Sequence, residues 1–150
     1  MSAAVLAIAI VSLLGADVWQ MTLTEHARNV SWATNDAIRV MEQLRLQNSG
    51  AGCATPSAAP PVGFATWDAW LGDTTVSGGG GKSIQPNPLT NELVLPSTTG
   101  ADPLQLTVSV CWRHRNRTLG GCGWNGTQLI DPGGTVQSPV MLSTWVRCRQ

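Results

Sequence analysis

The sequence has few charged residues. Only 12% of its 150 residues are Asp, Glu, Lys or Arg, about half the share found in an average soluble domain. Nine acidic and nine basic residues give a formal net charge of zero, which excludes a strongly basic nucleic-acid-binding domain and an acidic tail. The length suits one domain with a buried core and leaves little room for two.

Recognised catalytic motifs are also missing. The chain has no Gly-x-Ser-x-Gly, His-Glu-x-x-His or Cys-x-x-Cys pattern. Neither His26 nor His114 stands beside a nucleophile or a base, and only their spacing marks Asp68 and Asp73 as a carboxylate pair. The sequence therefore predicts that the protein is not an enzyme and uses no cofactor, metal or small-molecule substrate.

Apolar residues are concentrated at the N-terminus. Between Ala3 and Ala16, 12 of the 14 residues are aliphatic or Ala, and no charge occurs before Asp17. The run is shorter than the roughly 20 residues that cross a bilayer, and no basic residue precedes it as in a signal peptide. We predict that it lies in a membrane or among other helices. The residues expected in that setting are Val5, Leu6, Ile8, Ile10, Val11, Leu13 and Leu14.

A helical pattern continues beyond this run. Apolar residues recur at spacings of three and four, and polar residues, among them Asp36 and Arg39, are expected on the solvent-facing surface. The sequence 48–50, Asn-Ser-Gly, is a typical helix end. We predict a helix domain over 1–48, apolar over 3–16 and amphipathic over 17–47. The stripe expected to pack on the rest of the chain consists of Leu23, Ala27, Val30, Ala33 or Thr34, Ala37, Met41 and Leu44.

The remainder, residues 49–150, is predicted to be a loop-rich head. Seven of the nine Pro and nine of the sixteen Gly fall within 49–103, where apolar spacing indicates one short helical turn between 61 and 73. Strict alternation over 104–113 predicts a half-buried strand, and further strands are expected at 93–95, 128–130 and 140–148. The expected fold class is α+β, with the long helix packed on a small antiparallel sheet.

A glycine tract in the head invites a nucleotide-binding interpretation. The sequence GGGGKS at 78–83 resembles part of a phosphate-binding loop, but Val76 occupies the position of that motif's first Gly. No helix pattern follows the tract. We expect a flexible loop tip here instead.

The four cysteines are the strongest indication of a compartment. Cys111 and His114, with Cys122 and Cys148, could be interpreted as zinc ligands, but their spacing does not follow the paired pattern of zinc sites. An exported domain favours disulfides. Four cysteines permit three pairings, and we favour Cys111 with Cys122 and Cys53 with Cys148.

One short stretch is rich in arginine. Arg113, Arg115 and Arg117 alternate with other residues, so an extended backbone would place them on one face. They form a candidate interaction patch for DNA, acidic lipid headgroups or an acidic neighbouring subunit. Because the chain as a whole is neutral, a solvated loop is the preferred interpretation, and nucleic acid is the less favoured partner.

The sequence as a whole resembles the type IV pilin superfamily. VLAIAIVSLLG at 5–15 leads into an amphipathic helix, a Gly/Pro/Ser/Thr-rich stretch and C-terminal strands that include VSVCWR at 108–113. This organisation is similar to that of minor pilins called type IV pilus modification protein PilV. The family's basic leader and its Glu at the fifth mature position do not occur here. In family register, about seven or eight mature residues would be missing before Ala3, and restoring them would give a bilayer-spanning length.

The resemblance implies a function in assembly. A minor pilin is anchored in the bacterial inner membrane with its head in the periplasm and is then incorporated into a pilus, where it primes assembly or supports adhesion. Its partners are other pilin or minor pilin subunits. Two alternatives remain: a minor pseudopilin of a type II secretion or DNA-uptake system, and a secreted enzyme behind a signal peptide.

Overall fold

A computed structural model describes residues 2–84, 92–134 and 136–148. Within the first helix, the side chains of residues 2–14 and 16–18 are outside this description. The predicted membrane or filament-core side chains between Val5 and Leu14 therefore lie outside the described residues. By compactness the chain divides into two units, Met1–Ser31 and Trp32–Gln150.

A long helix, α1, runs from Ser2 to Gln47. Its last turns supply one wall of the core of the second unit, where Ala33, Ala37, Val40 and Leu44 are fully buried. This confirms the helix and the C-terminal half of the predicted stripe. Leu23 and Ala27 are instead exposed, because periodicity identifies residues that share a face but not the surface that would cover them.

The helix packs on an antiparallel sheet. Strands β1 (Glu92–Thr99), β2 (Leu104–His114), β3 (Arg117–Leu119) and β6 (Val140–Val146) form it, and β4 (Gly123–Trp124) pairs with β5 (Leu129–Ile130) in a small separate sheet. β1 pairs with one edge of β2, and β3 and β6 share the other edge. The predicted α+β class and helix-on-sheet arrangement are confirmed.

The central strand β2 is buried more deeply than its alternating pattern predicts. The residues facing α1, from Leu104 to Trp112 at every second position, are fully buried. On the opposite face Cys111 is also fully buried and Ser109 is 4% exposed, because they lie under a second small core built around Cys122, Leu129 and Val136. The part of β2 around Ser109 and Cys111 is thus covered on both faces.

Two disulfides join the loops to these elements. Cys111 on β2 bonds Cys122, and Cys53, in a 3₁₀ helix over Gly50–Ala54, bonds Cys148. These are the two pairings favoured from the sequence, and they exclude the zinc interpretation because both thiols of each pair are oxidised. They indicate an extracellular or periplasmic protein.

The glycine tract packs against a short helix instead of forming a flexible tip. Helix α2 spans Trp67–Gly72, with Thr66 accepting a hydrogen bond from Ala69 N as its N-cap. The amide of Gly79 donates to Trp70 O at 2.7 Å, and the amide of Gly81 donates to Leu71 O at 2.9 Å. The expected loop tip was therefore wrong, since a tract without side chains can approach a helix end closely enough for its backbone to bond there.

We expect Gly79→Ala to lower the free energy of unfolding by about 1–3 kcal/mol, the range for overpacking. A Cβ atom at this position would lie 2.7 Å from the Cα of Leu71, and a backbone atom cannot move aside as a side chain can. Chemical denaturation monitored by circular dichroism provides the measurement. Gly15→Ala, which meets no atom within 4 Å, is the control and should cause no loss; equal stability of both variants would contradict the close packing.

Candidate interaction surfaces and the buried ionic cluster

The first candidate surface is an apolar segment of α1 in the Met1–Ser31 unit. The side chains of Trp19, Met21 and Leu23 are 73%, 67% and 59% exposed. Single exposed apolar side chains are common on soluble proteins, but three within five residues are an unusual local concentration. A partner that removed this segment from water would gain hydrophobic free energy, so the segment is a candidate assembly surface.

The second candidate surface is the arginine patch, whose geometry differs from the expected single strand. Arg113 is the second-last residue of β2 and Arg117 begins β3, while Arg115 and Asn116 form the tight turn between the two strands with φ values of 47° and 63°. The three arginines thus lie around a hairpin tip and not along one extended face. Asn tolerates this left-handed backbone better than most residues, which explains its place in the turn.

One arginine of the patch is held in place. The guanidinium carbon of Arg113 lies 3.6 Å from the centroid of the Trp124 ring, and its Nη2 donates to Asn116 Oδ1 at 3.4 Å. Stacking on an aromatic face restrains a long side chain while its charge stays available. Trp124 belongs to β4, so the small sheet supports the hairpin tip.

The second unit also contains a group of charged residues that the sequence did not reveal. Asp36 is fully buried and Glu92 is 1% exposed, although a solvent-facing position was expected for Asp36. Two residues stabilise the Asp36 carboxylate. It accepts hydrogen bonds from Ser83 N at 2.8 Å and Ser83 Oγ at 2.6 Å, and it forms an ion pair with Arg39. We call the whole set the buried ionic cluster; its members are Asp36, Arg39, Asp68, Lys82, Ser83 and Glu92.

Lys82 links the two halves of the cluster. Its Nζ lies 2.5 Å from Asp68 Oδ1 and donates to the backbone oxygen of Glu92 at 2.8 Å. Asp68 also accepts from the amide of Val94 on β1. Burial raises the pKa of the Asp68 carboxyl, and the charge of Lys82 opposes that rise. A lysine used in this way is not placed to hold a phosphate.

Glu92 carries the strongest electrostatic perturbation. Burial, followed by the nearby charge of Asp36, raises its pKa to about 9. Both carboxyl oxygens of Glu92 are buried, and neither accepts a hydrogen bond from the described residues. A protonated carboxyl solves this problem, because the proton can be donated to Asp36. We therefore assign Glu92 the neutral form near pH 7.

The cluster joins four segments of the second unit. Asp36 and Arg39 come from α1, Asp68 from α2 and Glu92 from β1, and Lys82 and Ser83 directly follow the glycine tract. The guanidinium of Arg39 reaches the glycine tract, donating to Gly79 O at 2.5 Å. These contacts hold the turn of α1 around Asp36 and Arg39 against the loop that ends at Ser83.

The other sequence candidates fall in separate places. Asp68 is engaged by Lys82, whereas Asp73 follows α2 and accepts a hydrogen bond from Thr75 N, so the two carboxylates do not face one substrate position. No group of three or more His, Cys, Asp or Glu in the described ranges is arranged to hold a metal ion. Within the same ranges, no helix has the length and apolar character needed to cross a membrane.

The two disulfides indicate the compartment in which these surfaces are exposed. They indicate that the head folds where thiols are oxidised, in the periplasm or outside the cell. Comparisons of the chain with protein-family models, curated proteins and solved structures find no match.

Proposed function

We propose that this protein is a pilin-like assembly subunit, in which α1 joins neighbouring subunits and the disulfide-bonded head faces outward. The observation that carries the proposal is the exposure of Trp19, Met21 and Leu23 on a helix that begins with the apolar run 3–16. A helix with these residues needs lipid or other helices around it, and a filament core can replace the membrane in that role.

Two further features support an assembly function. The buried ionic cluster fixes the end of α1 in the head through Asp36 and Arg39, as a subunit that transmits load from helix to head requires. The disulfides stabilise a head rich in loops under oxidising conditions. In this proposal the protein resides first in the inner membrane and later in a surface filament, with other pilin subunits as partners.

Cell fractionation with an antibody against the head tests the proposal. We expect the protein in the inner-membrane fraction and in filaments sheared from the cell surface. A soluble secreted product cleaved after Ala16 would contradict it and would favour the secreted enzyme. Retention in the envelope without any surface filament would favour the pseudopilin.

A matched pair of variants tests the surface itself. Replacing Trp19 and Leu23 by Gln should reduce the amount in sheared filaments at least about tenfold, because burying each apolar side chain contributes on the order of 1.5–3 kcal/mol. Val62→Gln changes a fully exposed residue of the head (103% exposed) and should have no effect. Equal incorporation of both variants would exclude this part of α1 from the assembly interface.

A further inference from the structure

Strand β6 is an unprotected sheet edge. It pairs with β2 on one side, and its other side has no strand partner among the described residues. Its seven residues, VMLSTWV, include no charge, no Pro and no Gly. Proteins usually protect such edges with charges, Pro or bulges, because an open row of amides and carbonyls pairs readily with another strand.

The opposite edge of the same sheet is protected. Strand β1 carries Pro96 in its middle, opposite Val108, and Pro cannot donate a ladder hydrogen bond. Beyond Pro96, this strand presents the polar residues Ser97, Thr98 and Thr99. The sheet thus has one edge that resists pairing and one that accepts it.

Apolar side chains extend across the open edge. Met141 and Trp145 are 49% and 62% exposed on the face that also bears Ser143. Beside the end of β6, Trp145 and Val146 line a groove of about 280 Å³ together with Leu46 of α1, which is 68% exposed. Glu42, Arg45 and Ser49 form the polar side of this groove. Exposed apolar side chains at an unpaired edge, beside polar residues, are typical of a contact site.

We propose that β6 pairs with β6 of a second copy, antiparallel about a twofold axis at Ser143. In this register each Met141 lies opposite the Trp145 of the other copy, which creates two sulfur–aromatic contacts. Val140 lies opposite Val146, and Leu142 opposite Thr144. Since the strand has no charge, a twofold axis produces no like-charge pair, and the two four-stranded sheets become one continuous sheet. The contact is isologous and therefore closes at two copies.

The area of the contact sets its strength. A seven-residue edge with one exposed Trp and one exposed Met buries roughly 400–600 Å² per copy, against about 800 Å² in a standard interface. Hydrogen bonds between the two β6 backbones fix the register of the pair, but the small apolar area limits the affinity. The dimer is accordingly weak in dilute solution and forms where the local concentration is high. It does not depend on the proposed function, since it uses only the edge of the head.

Cysteine cross-linking tests the register with the full-length protein in mild detergent. Opposed residues of an antiparallel pair have Cα atoms about 4.5–5.5 Å apart, within disulfide range. Ser143→Cys, on the axis, should give a reducible dimer under mild oxidation. Thr144→Cys is the control: the two copies of residue 144 would lie roughly 8 Å apart, so cross-linking should fall at least about tenfold. Equal cross-linking of both variants, or none with Ser143→Cys, would overturn the proposal.

A second pair of variants leaves the cysteines unchanged. Ser143→Lys places a charge on the twofold axis and should shift sedimentation across a concentration series towards the monomer. Ser97→Lys makes the same change on the protected edge and should behave as the unaltered protein. A protein that is monomeric at every concentration, or a dimer that Ser143→Lys leaves intact, would overturn the proposal. Association through the apolar segment of α1 would persist in both variants, which distinguishes it from pairing through β6.

Discussion

Replacing Lys82 by Met should lower the free energy of unfolding by about 3–5 kcal/mol, the cost of removing one partner from a buried ion pair. The lysine side chain is fully buried and its Nζ lies 2.5 Å from Asp68 Oδ1. Its removal would leave the Asp68 carboxylate without its cation and the backbone oxygen of Glu92 without the donor that lies 2.8 Å away. Urea denaturation at fixed pH measures the loss.

A surface ion pair in the same chain provides the control. Arg45 and Glu42 lie 3.3 Å apart with side chains 52% and 61% exposed, so Arg45→Met should cost less than about 1 kcal/mol. The double variant Lys82→Met with Asp68→Leu should regain part of the loss, because it leaves no unpaired buried charge. Similar losses for Lys82→Met and Arg45→Met would show that the buried pair contributes no more than a surface pair.

Replacing Glu92 by Gln should flatten the dependence of stability on pH and make the protein more stable than the unaltered chain in mild alkali. The pKa of Glu92 is raised to about 9, from 4.5 in the absence of the fold. Between these values the folded state binds more protons than the unfolded state. The contribution of Glu92 to the free energy of unfolding is therefore complete below its unfolded-state pKa. It decreases as the pH rises towards the folded-state pKa, with a slope of at most about 1.4 kcal/mol per pH unit.

The side-chain amide that Glu92→Gln introduces can donate to Asp36 without titrating, which preserves the hydrogen bond that the protonated carboxyl makes. Burial also raises the pKa of Asp68, and this adds a decrease of stability with rising pH of the same sign. Unfolding curves at several pH values between 5 and 9 would measure both effects. Glu42→Gln, at an exposed position, should leave the profile unchanged. A profile that rises with pH, or one that Glu92→Gln does not alter, would contradict the assignment of a neutral Glu92.

Patterns confined to one stretch of chain predicted the main elements of the head. The spacing of Ala33, Ala37 and Leu44 identified the buried stripe of α1, and alternation over 104–113 identified β2 almost to its ends. These predictions succeed because a helix and a strand each bury one face. The residues on that face recur at a fixed spacing, which can be recognised within a short stretch of sequence. The pairing of the cysteines was favoured among three possibilities, and the structure contains that pairing.

Predictions that depended on distant partners were incomplete or wrong. Asp36 was expected in solvent but is fully buried, because its partner Ser83 lies 47 residues away. The glycine tract was expected to be a flexible tip, although its tight approach to Leu71 holds it against α2. The arginines were expected on one extended face, but positive φ angles at Arg115 and Asn116 turn the chain between them.

The sequence by itself determined the long helix, the central strand, the low charge and an oxidised head, since composition and local period are properties of neighbouring residues. Only the tertiary structure decided which charges are buried, where the sheet has an open edge and which apolar side chains remain exposed. The physical reason is that desolvation, ion pairing and strand pairing depend on what each group meets across space. The buried ion pair of Lys82, the raised pKa of Glu92 and the unpaired edge of β6 arise only when distant segments of the chain are brought together.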